Sequence, residues 1–408
     1  MKMPKMNVPN PPAIADPWKN CETLNYEIKI VTPIMGGGAS ANKAEECFAV
    51  RPSEIRGHLR FWWRQLFAKN LEGDALRMAE TAIWGDSKTA SKVRIEVDGA
   101  NFTAKRMMSA DYFGFKRYSK ESYALFPLDS DEDPGCSIVK EGGKFSCRVV
   151  IRRSLNEEQI AQVKASVDAW ILLGGVGART RRGLGCLQSD SVDSSVLSNF
   201  KVLAGVNGSD PMTLWANGLS LYKNFRQDRR PGQERNRPGR SFWPEAESCR
   251  KATGQRLAKH ESLGEQLNGM GAVDSVFTSP KAALGMPIIV HFKDNKPHQD
   301  PEDVMVNVDG KEGRMGSPVI VKPLFVDGAW HPVFVFLKNT AQEALGNKID
   351  SVRALGKSIK SKDGAPVKVQ RDNAVPAKHL GITETGDAIV ALQQYVEKNG
   401  YKKIGGDK

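Results

Sequence analysis

Long apolar runs are missing from this 408-residue chain. None approaches the roughly 20 residues a membrane-spanning helix needs, so a spanning protein is not expected. The six cysteines (Cys21, Cys47, Cys136, Cys147, Cys186 and Cys249) lie far apart, with no C-x-x-C pair and no histidine at metal spacing. That spacing gives poor support to a zinc site or a disulfide framework. His260, His291, His298, His331 and His379 are dispersed, with no triad or metal spacing. The acidic run Asp129 to Asp133 lacks the glycine and the alternation of a calcium loop. The N-terminal MKMPKMNVPNPPAIADPW puts prolines and charges where a signal peptide carries an apolar core. A cytoplasmic protein with reduced thiols and no cofactor or metal is the expectation.

Positive charge is abundant. Lysine and arginine number 59 against 47 acids, a formal charge of +12. Such an excess favours a polyanionic partner. A membrane surface is the weaker choice, because the cations are scattered rather than set beside an apolar segment. A hydrophobic content of 40% is enough for real cores, and the length suggests two domains.

Alternation predicts strands at Tyr26 to Thr32, Lys92 to Val97, Tyr123 to Phe126 and Phe145 to Ile151, with a short run at Cys186 to Gln188. Helical spacing predicts a helix of about four turns after Pro52 and another over Glu157 to Leu173. Strand, helix, strand, strand, helix, strand is the order of a ferredoxin-like or RRM-like domain, placed at residues 22–195. Residues 196–408 read as a second, more degenerate α+β domain. Strands are expected there at Gly285 to Phe292, Pro318 to Phe325 and His331 to Leu337, and helices at Thr340 to Lys357 and Glu384 to Lys398. Residues 226–240, with six arginines and two Pro-Gly steps, read as an exposed basic loop.

The most informative stretch is Gly174 to Gly185, GGVGARTRRGLG, which sets five glycines and three arginines behind a helix. Glycine lets a backbone take positive φ and approach a ligand, and bare amides on such a turn are expected to point outward as donors. Arg179, Arg181 and Arg182 add planar forks that match phosphate oxygens. It is neither a nucleotide P-loop, which needs Gly-Lys-Ser/Thr, nor a dinucleotide fingerprint, since Thr180 stands where a third glycine belongs. The plainer alternative is a helix cap and tight turn with solvated arginines. If backbone faces phosphate, Gly177→Val should harm binding more than folding.

On the helix after Pro52, at about 100° per residue, Arg56, Arg60 and Arg64 share one sector while Ile55, Leu59, Trp62 and Leu66 occupy the next. Trp63 and Phe67 fall on the border, where an aromatic ring can pack inward and still meet a base. A row of like charges gains from an anion laid along it. The alternative is a solvated face paired with acids such as Glu54 or Glu72. His58, about 160° around the helix from the arginine stripe, reads better as a packing histidine than as a general base.

With YEIKIVTPIMGGG, RPSEIRGHLRFWWRQLF, AIWGDS and GGVGARTRRGLG in place, the chain resembles the RAMP superfamily of CRISPR systems. Two Gly-hydrophobe-Gly steps five residues apart, Gly175-Val-Gly177 and Gly183-Leu-Gly185, carry that likeness. More narrowly, it resembles the family of first subunits of the type III-B Cmr effector complex. KAALGMPIIVHF and RMGSPVIVKP are similar to that family's pattern too, so the resemblance spans most of residues 24–340.

The resemblance implies two tandem ferredoxin-like domains and a non-nuclease, RNA-binding subunit in antiviral defence. Such a subunit holds the 3′ region of a guide (CRISPR) RNA and its target RNA, beside other RAMP subunits. By position, Gly174, Gly175, Gly177, Arg179, Arg181, Arg182, Gly183 and Gly185 would form the RNA-facing turn, with Arg56, Arg60 and Arg64 beside it. His58 departs from the small residue expected there, which leaves open a metal-independent processing endoribonuclease with His58 as general base.

Overall fold

The structure is a computed structural model that describes residues 18–19, 21–35, 47–103, 105–107, 122–125, 136–227, 241–246, 248–249, 276–292, 303–308, 315–338, 352–355, 367–370 and 375–405. It is α+β, with mostly antiparallel sheets. The N-terminal half runs β1 (Glu22–Ile30), α1 (Pro52–Phe67), α2 (Gly73–Trp84), β2 (Val93–Asp98), β3 (Lys144–Ile151), α3 (Glu157–Leu173) and β4 (Leu187–Gln188). Its four strands form one antiparallel sheet in the order β2–β3–β1–β4.

Alternation along β1 buries Tyr26, Ile28 and Ile30 and exposes Glu27 and Lys29. Pro52 opens α1, where its missing N–H costs nothing. Asn156 and Gln159 close a reciprocal capping box at the start of α3. α1 packs on α3 through Trp63, whose Nε1 donates to Gln162 Oε1 at 2.9 Å.

The second half repeats the plan. β5 (Lys201–Ala204), α4 (Pro211–Gln227), β6 (Val319–Val326), β7 (Ala329–Phe336), α5 (Ala388–Lys398) and β8 (Lys402–Ile404) give a second antiparallel sheet in the order β6–β7–β5–β8. What made this half look degenerate is insertion. Between α4 and β6, and again between β7 and α5, the chain contributes strands to a further sheet of five, which holds one parallel pair, Val276–Thr278 with Val367–Gln370.

Several expectations need correction. Residues 352–355 form a strand, not the end of a helix, and Ser122–Leu125 is a short helix where a strand was expected. α2 and α4 were not anticipated. Gly36 to Gly38, the acidic run Asp129 to Asp133 and residues 228–240 of the basic loop lie outside the described residues.

One hydrophobic core runs through both halves. It joins Trp62, Trp84 and Trp170 of the first to Val202, Ala204, Ile320, Leu324, Val333 and Val335 of the second. Trp62 meets Phe200 edge-on with ring centroids 5.6 Å apart. No helix among the described residues is long and apolar enough to cross a membrane.

Candidate nucleic-acid interface

The glycine-rich loop leaves α3 at Gly174, whose N–H donates to Trp170 O as an ordinary helix end. Its amides do not point outward as a set. Val176 N donates to Gly185 O, Ala178 N to Met35 O, Gly183 N to Thr180 O and Gly185 N to Pro33 O. Gly177 N donates to the Glu54 carboxylate at 2.8 Å. Here the structure departs from the expectation of bare donors: these amides are consumed in fastening the loop to the segment after β1 and to α1.

The glycines are close-packed against protein. Gly177 has φ +78°, and a Cβ there would lie 2.6 Å from Ile34 Cγ2 and 2.6 Å from Met35 O. A Cβ on Gly183, at φ +80°, would lie 2.6 Å from Val321 O and would run into the Trp215 indole. Gly175 and Gly185 face each other's backbone neighbourhood in the same way. Side chains at Gly177 and Gly183 would therefore wedge the loop from its supports, so Gly177→Val is expected to harm folding itself, as the plainer cap-and-turn alternative requires.

The three loop arginines are engaged as well. Arg181 donates to Ser317 O at 2.6 Å, and Arg182 donates to Val319 O at 3.3 Å and to the Tyr222 hydroxyl at 3.4 Å. Trp215 Nε1 in turn donates to Arg182 O at 2.7 Å. Arg179, itself in the left-handed region at φ 59°, reaches Ala124 O at 3.3 Å. Lys322, wholly buried on β6, donates to Leu172 O at 2.6 Å and Gly174 O at 3.0 Å, closing the end of α3 from the other half. Burial pulls its ammonium below the usual lysine value. The turn is thus first of all the contact between the two halves.

The arginine row on α1 is where expectation and geometry meet. Arg60 Nε and Arg64 share the Glu80 carboxylate of α2, Arg64 at 2.8 Å. The acid partner is neither Glu54 nor Glu72. Both arginine side chains stay a third or more exposed, at 34% and 39%. Arg56 has no hydrogen-bond or ion-pair partner among the described residues, and its Nε is a buried donor left unpaired. Of the border aromatics, Trp63 is 2% exposed and not free to stack on a base.

Glu54 links the row to the loop. Burial pushes its carboxyl up, but the His58 ring and the Gly177 amide outweigh this and hold it below the usual carboxylate value. His58 Nε2 stands 3.6 Å from Glu54 Oε1. No group of His, Cys, Asp and Glu able to hold a metal occurs among the described residues. Sequence reasoning missed Glu80, Lys322, Trp215 and Tyr222. Only the pair Glu80 and Arg64 had a signal, had α2 been read from Leu76, Ala79 and Ile83.

Residues 27–188 match the family model of the RAMP superfamily. Two curated relatives from Pyrococcus furiosus are similar to the chain. One, the CRISPR system Cmr subunit Cmr1-1, is 28% identical over 165 residues, 40% of this chain and 46% of the relative. The other, Cmr1-2, is 28% identical over 187 residues, 40% of this chain and 92% of the relative. The match thus spans about half the length of the first. Among solved structures, the apo crystal structure of Cmr1 from Pyrococcus furiosus aligns with a TM-score of 0.43 and 16% identity, over 78% of this chain and 89% of that one. A chain of the type III-B Cmr-beta complex bound to cognate target RNA and AMPPnP aligns with a TM-score of 0.37 and 14% identity, over 77% of this chain and 94% of that one.

Proposed function

We propose that this chain is an RNA-binding structural subunit of a type III-B CRISPR ribonucleoprotein in antiviral defence. In this reading it holds the 3′ region of the guide RNA and its target beside other RAMP subunits, in the cytoplasm, and carries no nuclease of its own. The observation that carries the reading is the fastening of a RAMP glycine-rich loop to the first turn of α1 through Glu54 and Gly177. Arg56, Arg60 and Arg64 run from that point along one helix face. The row offers three charged forks to a ribose-phosphate backbone, and binding there is independent of sequence because no base is read. Arg179, Arg181, Arg182 and the five glycines Gly174, Gly175, Gly177, Gly183 and Gly185 hold the neighbouring edge in place.

The repeated strand order supports reading residues 22–195 and 196–408 as two ferredoxin-like domains. RRM-type stacking is disfavoured, because the outer face of β1 and β3 presents Asn25, Glu27, Lys29, Lys144, Ser146 and Arg148 and no aromatic ring.

Crosslinking of the assembled ribonucleoprotein, with RNA-linked peptides mapped, tests the reading. Crosslinks in residues 52–67 are expected, and their confinement to other parts of the chain would contradict it. One observation favours the endoribonuclease alternative: the Glu54 carboxylate, fastened to the loop, stands 3.6 Å from His58 Nε2, near enough to influence a general base there. Cleavage of cognate repeat RNA in chelator, lost in His58→Ala, would establish that alternative.

A further inference from the structure

Between β5 and α4 the chain slips out of register with β7. Gly205 N donates to Pro332 O at 2.9 Å and Gly208 N to Trp330 O at 3.0 Å, so Val206 and Asn207 together oppose the single residue His331. That is a β-bulge. His331 Nδ1 donates to Gly205 O at 3.0 Å and fixes one end of it. The bulged residues stand out in solvent: Val206 is 80% exposed, and Asn207 is exposed with no hydrogen-bond partner for its carboxamide among the described residues.

Asn207-Gly208 is one of four Asn-Gly steps in the sequence, with Asn217-Gly218, Asn268-Gly269 and Asn399-Gly400. Asparagine before glycine is chemically weak, because the following amide nitrogen, unshielded by a Cβ, reaches the carboxamide carbon. The structure treats these steps differently. Asn217-Gly218 lies inside α4, where the Gly218 amide belongs to the helix and Gly218 itself is buried. At the end of α5, Asn399 Nδ2 donates to Tyr395 O at 2.7 Å and Gly400 N donates to Glu397 O at 3.0 Å. Asn268 lies outside the described residues. At Asn207 the carboxamide is untied, and the Gly208 amide is held only by the Trp330 bridge, which stands outside any strand. A lone exposed bridge opens far more readily than a helix interior.

We infer that Asn207 is a site of spontaneous deamidation, with water as the co-reactant. The Gly208 nitrogen gives up its proton and bonds to Asn207 Cγ, and the bond from Cγ to the amide nitrogen breaks as ammonia leaves with that proton. Water then opens the resulting succinimide. Opening at Cγ leaves an aspartate; opening at the main-chain carbonyl leaves an isoaspartate, whose backbone is longer by one methylene. Either product sets a new carboxylate near Asp210, which caps α4 by accepting from Met212 N and Thr213 N. The isoaspartate also draws Gly208 off Trp330 O and loosens the start of the helix that carries Trp215 and Tyr222. None of this rests on the RNA reading.

The experiment ages the full chain at mildly alkaline pH and follows, by mass spectrometry, the replacement of NH2 by OH in peptides holding Asn207, Asn217 and Asn399. Isoaspartate is scored with protein isoaspartyl methyltransferase. Asn207 is expected to convert about tenfold faster than Asn217, which must wait for local opening of α4. In urea, with the fold lost, the rates should converge. Gly208→Ala is the companion variant. Gly208 is outside the left-handed region and its added Cβ would meet Leu214 at 3.4 Å, an ordinary contact, so the fold should stand while the methyl shields the nitrogen and slows conversion at Asn207 several-fold. Conversion of Asn207 in the folded chain no faster than that of Asn217 or Asn399, or undiminished in Gly208→Ala, would overturn the site.

Discussion

Gly177→Ala separates a loop kept bare for a ligand from a loop kept bare for its own supports. The residue sits at φ +78°, and the added methyl would lie 2.6 Å from both Ile34 Cγ2 and Met35 O. The left-handed backbone costs an L side chain about 1–2 kcal/mol, and the overlap adds about 1–3 kcal/mol because Met35 O is main chain and cannot swing aside. Together they remove about 2–5 kcal/mol, a large part of the 5–15 kcal/mol typical of a folded protein. In urea unfolding of the full chain the midpoint should fall by about 1 M. Gly57→Ala is the matched control: it sits within α1, nothing lies within 4 Å of its added Cβ, and it should gain roughly 0.5–1 kcal/mol. RNA affinity per folded molecule of Gly177→Ala should stay within about threefold of wild type, less than the tenfold that 1.4 kcal/mol represents. Unchanged stability together with lost RNA binding would refute the reasoning and return the loop's backbone to the ligand.

Glu80→Gln should tighten RNA binding several-fold in a filter assay while lowering thermal stability, because it frees Arg60 and Arg64 from a competing carboxylate; weaker binding would contradict this. Lys322→Met should destabilise the chain at neutral pH by roughly 1–3 kcal/mol, since Leu172 O and Gly174 O lose their donor. The folded-state value of Lys322 is depressed, so in the window below 10.5 the unfolded chain binds more protons and this residue's contribution to stability rises with pH. Wild type should therefore gain on Lys322→Met as pH is raised toward 10.5, and parallel curves would contradict it. Asp168, buried on α3 with Oδ1 unpaired, is pushed up to about 6 by desolvation and by the charge of Asp193. Its raised value means that its contribution to stability is full below 3.8 and lost as pH rises through about 6, so Asp168→Asn should stabilise the chain at pH 7 relative to pH 4 in denaturant titrations.

Much of the first half was legible in the sequence because its elements bury one face each. β1 and β3 alternate, and α3 carries its own caps, so helix 157–173 was placed at its observed ends. The second half obeys the same plan, but its strands are separated by inserted segments, and β5 and β8 span four and three residues, too short for alternation to register. Within the candidate site the arginine row was legible from helical spacing alone. Its neutraliser Glu80 was not, because the pairing depends on how α2 folds back on α1. Likewise, glycine and arginine in GGVGARTRRGLG signal close backbone approach and fork-shaped donors. Sequence alone does not distinguish approach to phosphate from approach to the carbonyls of Ser317 and Val319.

The arginines of α1, each only partly exposed, are held here to lie against RNA phosphates, and the salt dependence of RNA affinity measures this most directly. Removing Arg56, Arg60 and Arg64 together should reduce the slope of log affinity against log salt by about 2, at roughly 0.7 per single-strand contact. A slope equal to that of wild type would mean that this helix face carries no nucleic acid.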